Sequence, residues 1–316
     1  MNITVIVCTY DRCRALAAAL NSLAVSTLPP SVEWEVLIVD NNSGDQTREV
    51  AEVFCQRYPG RFRYLFEPQQ GKSYALNTGV REARGEVLAF VDDDVTVEST
   101  WLQNLTADLF NGEWAGAGGR IVPEWPFAPP PWLPLKESFG TAPLVMFDLG
   151  GEGRPLTVPP YGTNMAFHRR MFEKYGTFRT DLGPRPNSEI RNEDTEFASR
   201  LLAAVERLKY EPDAVVYHSV PQKRLQKEYF LRWWFDKGRA DIRESAGTRD
   251  AAWLVSGIPL HLWRKLAVGT LRWMLTLESS RRFIYRLTVW FLAGKIVECY
   301  RQSRADTRRL RKLPSV

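Results

Sequence analysis

The sequence predicts an α/β fold: a mainly parallel sheet flanked by helices, with a C-terminal helical extension. Three observations carry this. Short apolar runs alternate with helically spaced leucines through the first hundred residues. The runs are rich in Val, Ile, Leu and Phe on both faces, as strands covered from both sides are. Beyond Gln222 the chain reads as helices alone.

The first strand is ITVIVCT (3–9); the chain runs straight into it, with no basic segment ahead of it to suggest a cleavable signal. Leu16, Leu20 and Leu23 then share one helical face. EVLIVD (35–40) and FRYLFE (62–67) are the next strands, followed by a helix with Leu76, Val80 and Ala83 on one side. EVLAFVD (86–92) is the fourth strand, and Leu102, Leu105 and Leu109 mark the helix after it. From Trp125 to Pro160 nine prolines rule out a helix or central strand, so this stretch is expected to be a long loop, either a surface insertion or a cover over a binding crevice. YGTNMAFHRRMFEKYG reads as a strand and a helix. NEDTEFASRLLAAVERL reads as a helix with Asn192 as N-cap and Phe197, Leu201, Val205 and Leu208 on its buried side. DAVVYHS (213–219) is the last strand expected.

Composition sets bounds on partners. The 316 residues are 44% hydrophobic, enough for a sizeable core. Cys8, Cys13, Cys55 and Cys299 are scattered without a C-x-x-C pair, which fits neither a disulfide framework nor a zinc site, so they read as reduced packing residues of a cytoplasmic protein. Residues 221–316 hold 21 Lys and Arg against 8 Asp and Glu, a surplus of +13 that leaves −8 for residues 1–220 out of the overall +5. The acidic part suits a metal site and the basic part an anionic surface such as phospholipid rather than nucleic acid.

In parallel α/β sheets ligands bind beyond the carboxyl ends of the strands, where Thr9, Asp11, Asp40 and the cluster Asp92, Asp93 and Asp94 should converge. Three adjacent carboxylates repel one another unless a cation neutralises them, and Mg2+ or Mn2+ takes such hard oxygen ligands together with substrate phosphates. Helix capping by acidic residues is the plainer alternative. Lys72 lies in the turn GKS ahead of a helix, a combination that suits a phosphate; it is no P-loop, since Phe66 stands where the upstream glycine would be.

The segments TVIVCTYDR, VDNNSGD, GKSYALNTG, FVDDDV, GTNMAFHRR and NEDTEFASRL follow one another in the order seen in family 2 glycosyltransferases of the GT-A fold, which the chain resembles over roughly residues 1–220. The resemblance implies a GT-A catalytic domain over 1–220 and a basic helical region over 221–316. It also implies an inverting transfer of sugar from a nucleotide diphosphate sugar, a UDP-sugar by first expectation. The acceptor would be a glycan or lipid-linked hydroxyl in cell-surface polysaccharide or glycoconjugate synthesis. By the same resemblance Thr9, Asp11 and Asp40 line the nucleotide pocket, although Asp11 also suits a helix cap. Lys72 and Arg224 face the diphosphate. Asp92 and Asp94 form the D-x-D pair, with Asp94 the first choice for metal ligand, Asp92 shared between ribose and metal, and Asp93 less defined. His218 approaches the metal or diphosphate, or is a buried structural histidine. Asp194, after Glu193 at a helix start, resembles the base that deprotonates the acceptor; first-turn acid enrichment is the alternative. The family's Q-x-x-R-W is incomplete: LRWWFDKGR supplies Arg232 and Trp233 without the glutamine, which favours single-sugar addition over polymerisation.

WLVSGIPLHLWRKLAVGTLRWMLTL and RRFIYRLTVWFLAGKIV mix Trp, Leu and Phe with spaced Arg and Lys, as in-plane interfacial helices do. They suggest peripheral attachment to the inner face of a membrane, or packing on the protein or a second subunit. DDDVT also spells the nucleophile motif of haloacid dehalogenase-like phosphatases, which normally ends the first strand, not the fourth. A catalytically silent nucleotide-sugar-binding protein is the third reading.

Overall fold

The computed structural model describes residues 2–310 apart from 126, 134, 136, 137, 187, 189, 246–253 and 256, with side chains through 304. In chain order the elements are β1 (Ile3–Thr9), α1 (Cys13–Ala24), β2 (Trp34–Asp40), α2 (Thr47–Arg57), β3 (Phe62–Phe66), α3 (Lys72–Glu82), β4 (Val87–Asp92), β5 (Val95–Val97), α4 (Trp101–Thr106) and β6 (Gly116–Glu124). They continue as α5 (Ser138–Thr141), β7 (Arg154–Pro155), β8 (Asn164–His168), α6 (Arg169–Tyr175), α7 (Glu193–Ala203) and β9 (Leu208–Ser219). The last are α8 (Lys227–Glu244), β10 (Leu254–Val255), β11 (Ile258–Pro259), α9 (Leu260–Leu275) and α10 (Ser279–Leu310).

The chain divides into two units. The first comprises 1–124, 145–187 and 193–220; the second comprises 125–144, 188–192 and 221–316. The Pro-rich stretch is therefore shared between them.

In the first unit the strand order is β3-β2-β1-β4-β8-β6-β9-β5, with β7 on β9. β3, β2, β1 and β4 are parallel, and their apolar runs form the centre of a core in which Val5, Val7, Val36, Ile38 and Leu88 are wholly buried. β8 enters antiparallel to β4. Chain order reverses at β1, between β2 and β4, so the crevice beyond these strand ends is the switch point where a ligand belongs. Register aligns it: Thr9 lies beside Asp40, and Cys8 beside Asp92. At the opposite edge Glu35 is fully buried, accepting hydrogen bonds from the Thr4 hydroxyl (2.9 Å) and the Arg84 N–H (3.1 Å) and pairing with Arg63 at 3.3 Å.

Three local expectations change. α7 stops at Ala203; Val205 takes a positive φ of 62° and is 86% exposed, and Leu208 is buried by strand β9, not by the helix. β9 starts at Leu208, five residues ahead of the expected strand, because its pairing with β6 shifts register between Gly119 and Arg120. That irregularity passes over Pro212, which has no N–H to give to a ladder. Asn192 is not an N-cap by side chain: at φ 80°, a conformation asparagine tolerates, its amide donates to Asp241 (3.1 Å) and Glu244 (2.6 Å).

The second unit is built on aromatic and glycine packing. Trp132 from the Pro-rich stretch meets Phe230 and Phe283 edge-on at 5.3 and 4.9 Å, and Phe139 stacks on Trp234 at 3.8 Å. α8 and α10 touch backbone to backbone. A Cβ on Gly238 would lie 2.0 Å from the Phe291 carbonyl oxygen, and one on Gly294 2.0 Å from that of Phe235. Neither oxygen can retreat without parting the helices, so Gly238→Ala is expected to cost about 1–3 kcal/mol, read as a lower denaturant midpoint.

Candidate active site

The crevice edge is assembled by two short connections. β4 ends in Asp92, and after Asp93 and Asp94 the chain returns as β5, which pairs antiparallel with β9 and sets Val95 opposite His218. This pairing brings His218 Nε2 to 3.7 Å from Asp94 Oδ1. β8 sets Asn164 opposite Val91, so the two residues before it reach the end of β4. The Thr163 hydroxyl donates to Asp92 Oδ2 at 2.7 Å, and the Gly162 N–H donates to Asp194 Oδ2 at 2.5 Å. Asn164 is held from within: Trp101 donates to its oxygen at 2.8 Å, while its own amide donates to the carbonyls of Arg120 and Ala214. Asp92 and Asp194 are thus fixed by neighbouring residues of one anchored segment.

The three carboxylates are neutralised unequally. Lys72 Nζ lies 2.6 Å from Asp92 Oδ1, so both oxygens of Asp92 are engaged; burial works against its charge, yet the ammonium outweighs this and holds the carboxyl below the usual range. Arg12 Nη1 bridges Asp93 Oδ1 at 3.0 Å and Asp94 Oδ2 at 2.8 Å. Asp93 is buried, and this pushes its carboxyl up to about 6 despite the guanidinium. Glu193 is also buried, 3.7 Å from Lys72; burial, then the neighbouring Asp194 charge, push it up to about 7 against the pull of Lys72. Its carboxyl is sealed in, whereas Asp194 is only partly covered, with Oδ1 accepting the Thr195 N–H at 2.7 Å.

The expected nucleotide residues form a braced loop. Asp40 is buried and accepts from the Ser43 N–H (3.0 Å) and the Tyr64 hydroxyl (2.9 Å). Asp11, exposed and at a positive φ of 49°, accepts from the Gly44 N–H at 2.7 Å, and its own N–H donates to Ser43 Oγ at 3.0 Å. It therefore clamps the β2–α2 loop and caps no helix. Thr9 is buried beside them. Arg224 lies in the short 3-10 turn Gln222–Leu225 of the second unit. Arg12 and the bridging roles of Gly162 and Thr163 escape sequence reasoning, because their partners lie 32 to 82 residues away. The only signal is that TYDR and GTN sit at strand ends of the same crevice.

Among the described residues no group of three or more His, Cys, Asp and Glu forms a cage for a metal ion. Asp94 and His218 fit a more open arrangement: an anionic oxygen and an imidazole nitrogen 3.7 Å apart can both reach one divalent ion with bonds of about 2.1 Å, leaving the other positions to donor phosphates.

A Cβ on Gly162 would lie 2.9 Å from Asp194 Oδ2 and 3.1 Å from its Cβ. Gly162→Ala is therefore expected to turn the Asp194 carboxylate out of position. A fall of roughly tenfold to a hundredfold in kcat, with the KM for donor nearly unchanged, is the result to look for in steady-state kinetics.

The family model described as glycosyl transferase family 2 matches residues 4–176. Over 237 residues the chain is 27% identical to a glucosyl-dolichyl phosphate glucuronosyltransferase of Haloferax volcanii, covering 73% of each chain. Over 260 residues it is 26% identical to the succinoglycan biosynthesis protein ExoM of Rhizobium meliloti, covering 81% of this chain and 80% of that protein. Among solved structures, the mannosyltransferase PcManGT from Pyrobaculum calidifontis, in complex with GDP-Man and Mn2+, superposes with a TM-score of 0.62 at 19% identity over 96% of this chain and 87% of that one.

Proposed function

The chain belongs to glycosyl transferase family 2 and is a glycosyltransferase of GT-A fold; from this we propose that it moves one sugar, with inversion, from a nucleotide diphosphate sugar to a hydroxyl of a glycan or lipid-linked acceptor. Asp194 takes the proton from the attacking hydroxyl. Its orientation is set by the Gly162 and Thr195 N–H groups, which hold the carboxylate without protonating it. Asp94 and His218 hold a divalent ion, Mn2+ or Mg2+. When bound, that ion supplies positive charge to the leaving diphosphate. Lys72 keeps Asp92 ionised and adds a second cation beside the diphosphate, and Asp11 with the loop it clamps frames the nucleotide. Glu193 sets the charge around Lys72 and does not reach the acceptor.

The observation that carries this reading is the anchored segment 162–164, which fixes Asp92 on one side and Asp194 on the other of the same crevice edge. The Haloferax relative, whose name includes glucosyl-dolichyl phosphate, supports a lipid-linked acceptor here; such an acceptor would be reached by a protein attached peripherally to the inner face of a membrane. The test is incubation with Mn2+, UDP- and GDP-sugars and acceptor lipids, reading nucleoside diphosphate release and the anomeric configuration of the product. Release confined to one donor, with inverted product, is expected. Release of inorganic phosphate, or a retained configuration, contradicts it.

A further inference from the structure

α10 and α9 treat their apolar residues in opposite ways. On α10, Phe283, Leu287, Val289, Leu292 and Ile296 are all buried, so the second of the two interfacial stretches in the sequence is used up inside its own unit. α9 turns Leu262, Leu266 and Gly269 inward, at spacings of four and three residues; a Cβ on Gly269 would touch Val289, and Trp273 meets Trp290 edge-on at 6.0 Å. The opposite face of α9 carries Leu260, Trp263, Val268, Leu271, Met274 and Leu275, all exposed, the last three by 57%, 68% and 70%. On a helix resting on its own core this face should be polar. The hairpin leading into it adds exposed Leu254 and Val255, and the turn after it Leu277 at 95%.

Charge decides what such a face meets. α9 itself carries Arg264, Lys265 and Arg272 and no acid; Glu278, in the turn after it, pairs with Arg281 at 3.2 Å. Lys265 and Arg272 flank the apolar stripe on one side and are exposed, while Arg264 lies within it, on a stem long enough to carry its guanidinium outward. A second copy of the chain docking through this face would set these cations against one another. An anionic lipid surface neutralises them and accepts the apolar side chains. At 16 residues α9 is too short to span, and no helix among the described residues is long and apolar enough to cross a membrane. We propose that α9 lies in the plane of an anionic membrane with its outward apolar face inserted among the lipids, while α10 takes no part in the contact. This deepens the reading of a lipid-linked acceptor.

The test is flotation of the full-length protein with vesicles of phosphatidylcholine, with and without phosphatidylglycerol. Binding to the phosphatidylglycerol vesicles, weaker to phosphatidylcholine alone and weakened by salt, is expected. The variant L271S/M274S/L275S, altered only at exposed positions, should lose roughly a hundredfold in vesicle affinity while keeping the parent's thermal midpoint. Asp194→Asn should float like the parent, so a failure of the transfer reading leaves this result untouched. The inference is overturned if the parent stays unbound with phosphatidylglycerol vesicles, if the triple variant binds as well as the parent, or if the triple substitution instead dissolves a dimer of a protein that does not float.

Discussion

Asp194→Asn is expected to lower the rate of sugar transfer about a hundredfold to ten-thousandfold while donor affinity stays close to the parent's. The amide has nearly the shape of the carboxylate and can still accept the Gly162 N–H through its oxygen, so the β8 connection should survive. What disappears is the second carboxylate oxygen, which accepts the Thr195 N–H and supplies the basicity that receives the acceptor's proton. Glu193→Gln provides the contrast. Glu193 is sealed beside Lys72 and already drawn toward its neutral form near pH 7, so an amide there perturbs the charge balance without removing the base. A loss of less than about tenfold is expected for it. Single-turnover kinetics with saturating donor separate the two, and comparable losses would mean that the roles of the adjacent acids are misassigned.

The second large effect is on stability. Glu35→Ala removes a fully buried carboxylate from the end of the sheet away from the site, leaving the Thr4 hydroxyl without its acceptor and the Arg63 guanidinium without its counter-charge, while the Arg84 N–H keeps Thr4 Oγ1 and Arg63 keeps the Glu82 carbonyl. Breaking a buried ion pair from one side costs about 3–5 kcal/mol. Arg63 keeps 24% of its side chain in water and can rehydrate, so the lower part of that range, about 3 kcal/mol, is expected. Urea unfolding measures it. The folded fraction should keep the parent's KM for donor, since Glu35 lies at the far end of β2 from Asp40.

The parallel half of the sheet was legible because its strands are apolar on both faces and end in polar residues. That placed Thr9, Asp40 and Asp92 at one edge before any register was known. Periodicity failed where a regular spacing crossed a turn. Phe197, Leu201, Val205 and Leu208 look like one helical face, but the helix ends at Ala203, and Leu208 is buried because β9 has begun. Pro212 lies inside β9, where only the irregular pairing with β6 makes room for it. Three clustered carboxylates suggested a metal ion as counter-charge. Arg12 and Lys72 also neutralise them, through ion pairs between residues that no local pattern links. The apolar and basic mixture of the last hundred residues suggested either interfacial helices or packing within the protein, and which helix keeps its apolar face exposed depends on the close crossing at Gly238 and Gly294, a property of packing rather than of composition.

The division of labour across the crevice is tested most directly by titrating Mn2+ into the transfer reaction for the parent, Asp94→Asn and Asp194→Asn, reading nucleoside diphosphate release at each concentration. Asp94→Asn should raise the Mn2+ needed for half-maximal rate, and Asp194→Asn should cut the maximal rate with that requirement unchanged. Parent turnover that persists at full rate under chelation, or identical titration curves for the two variants, would contradict the assignment of ion binding to Asp94 and proton removal to Asp194.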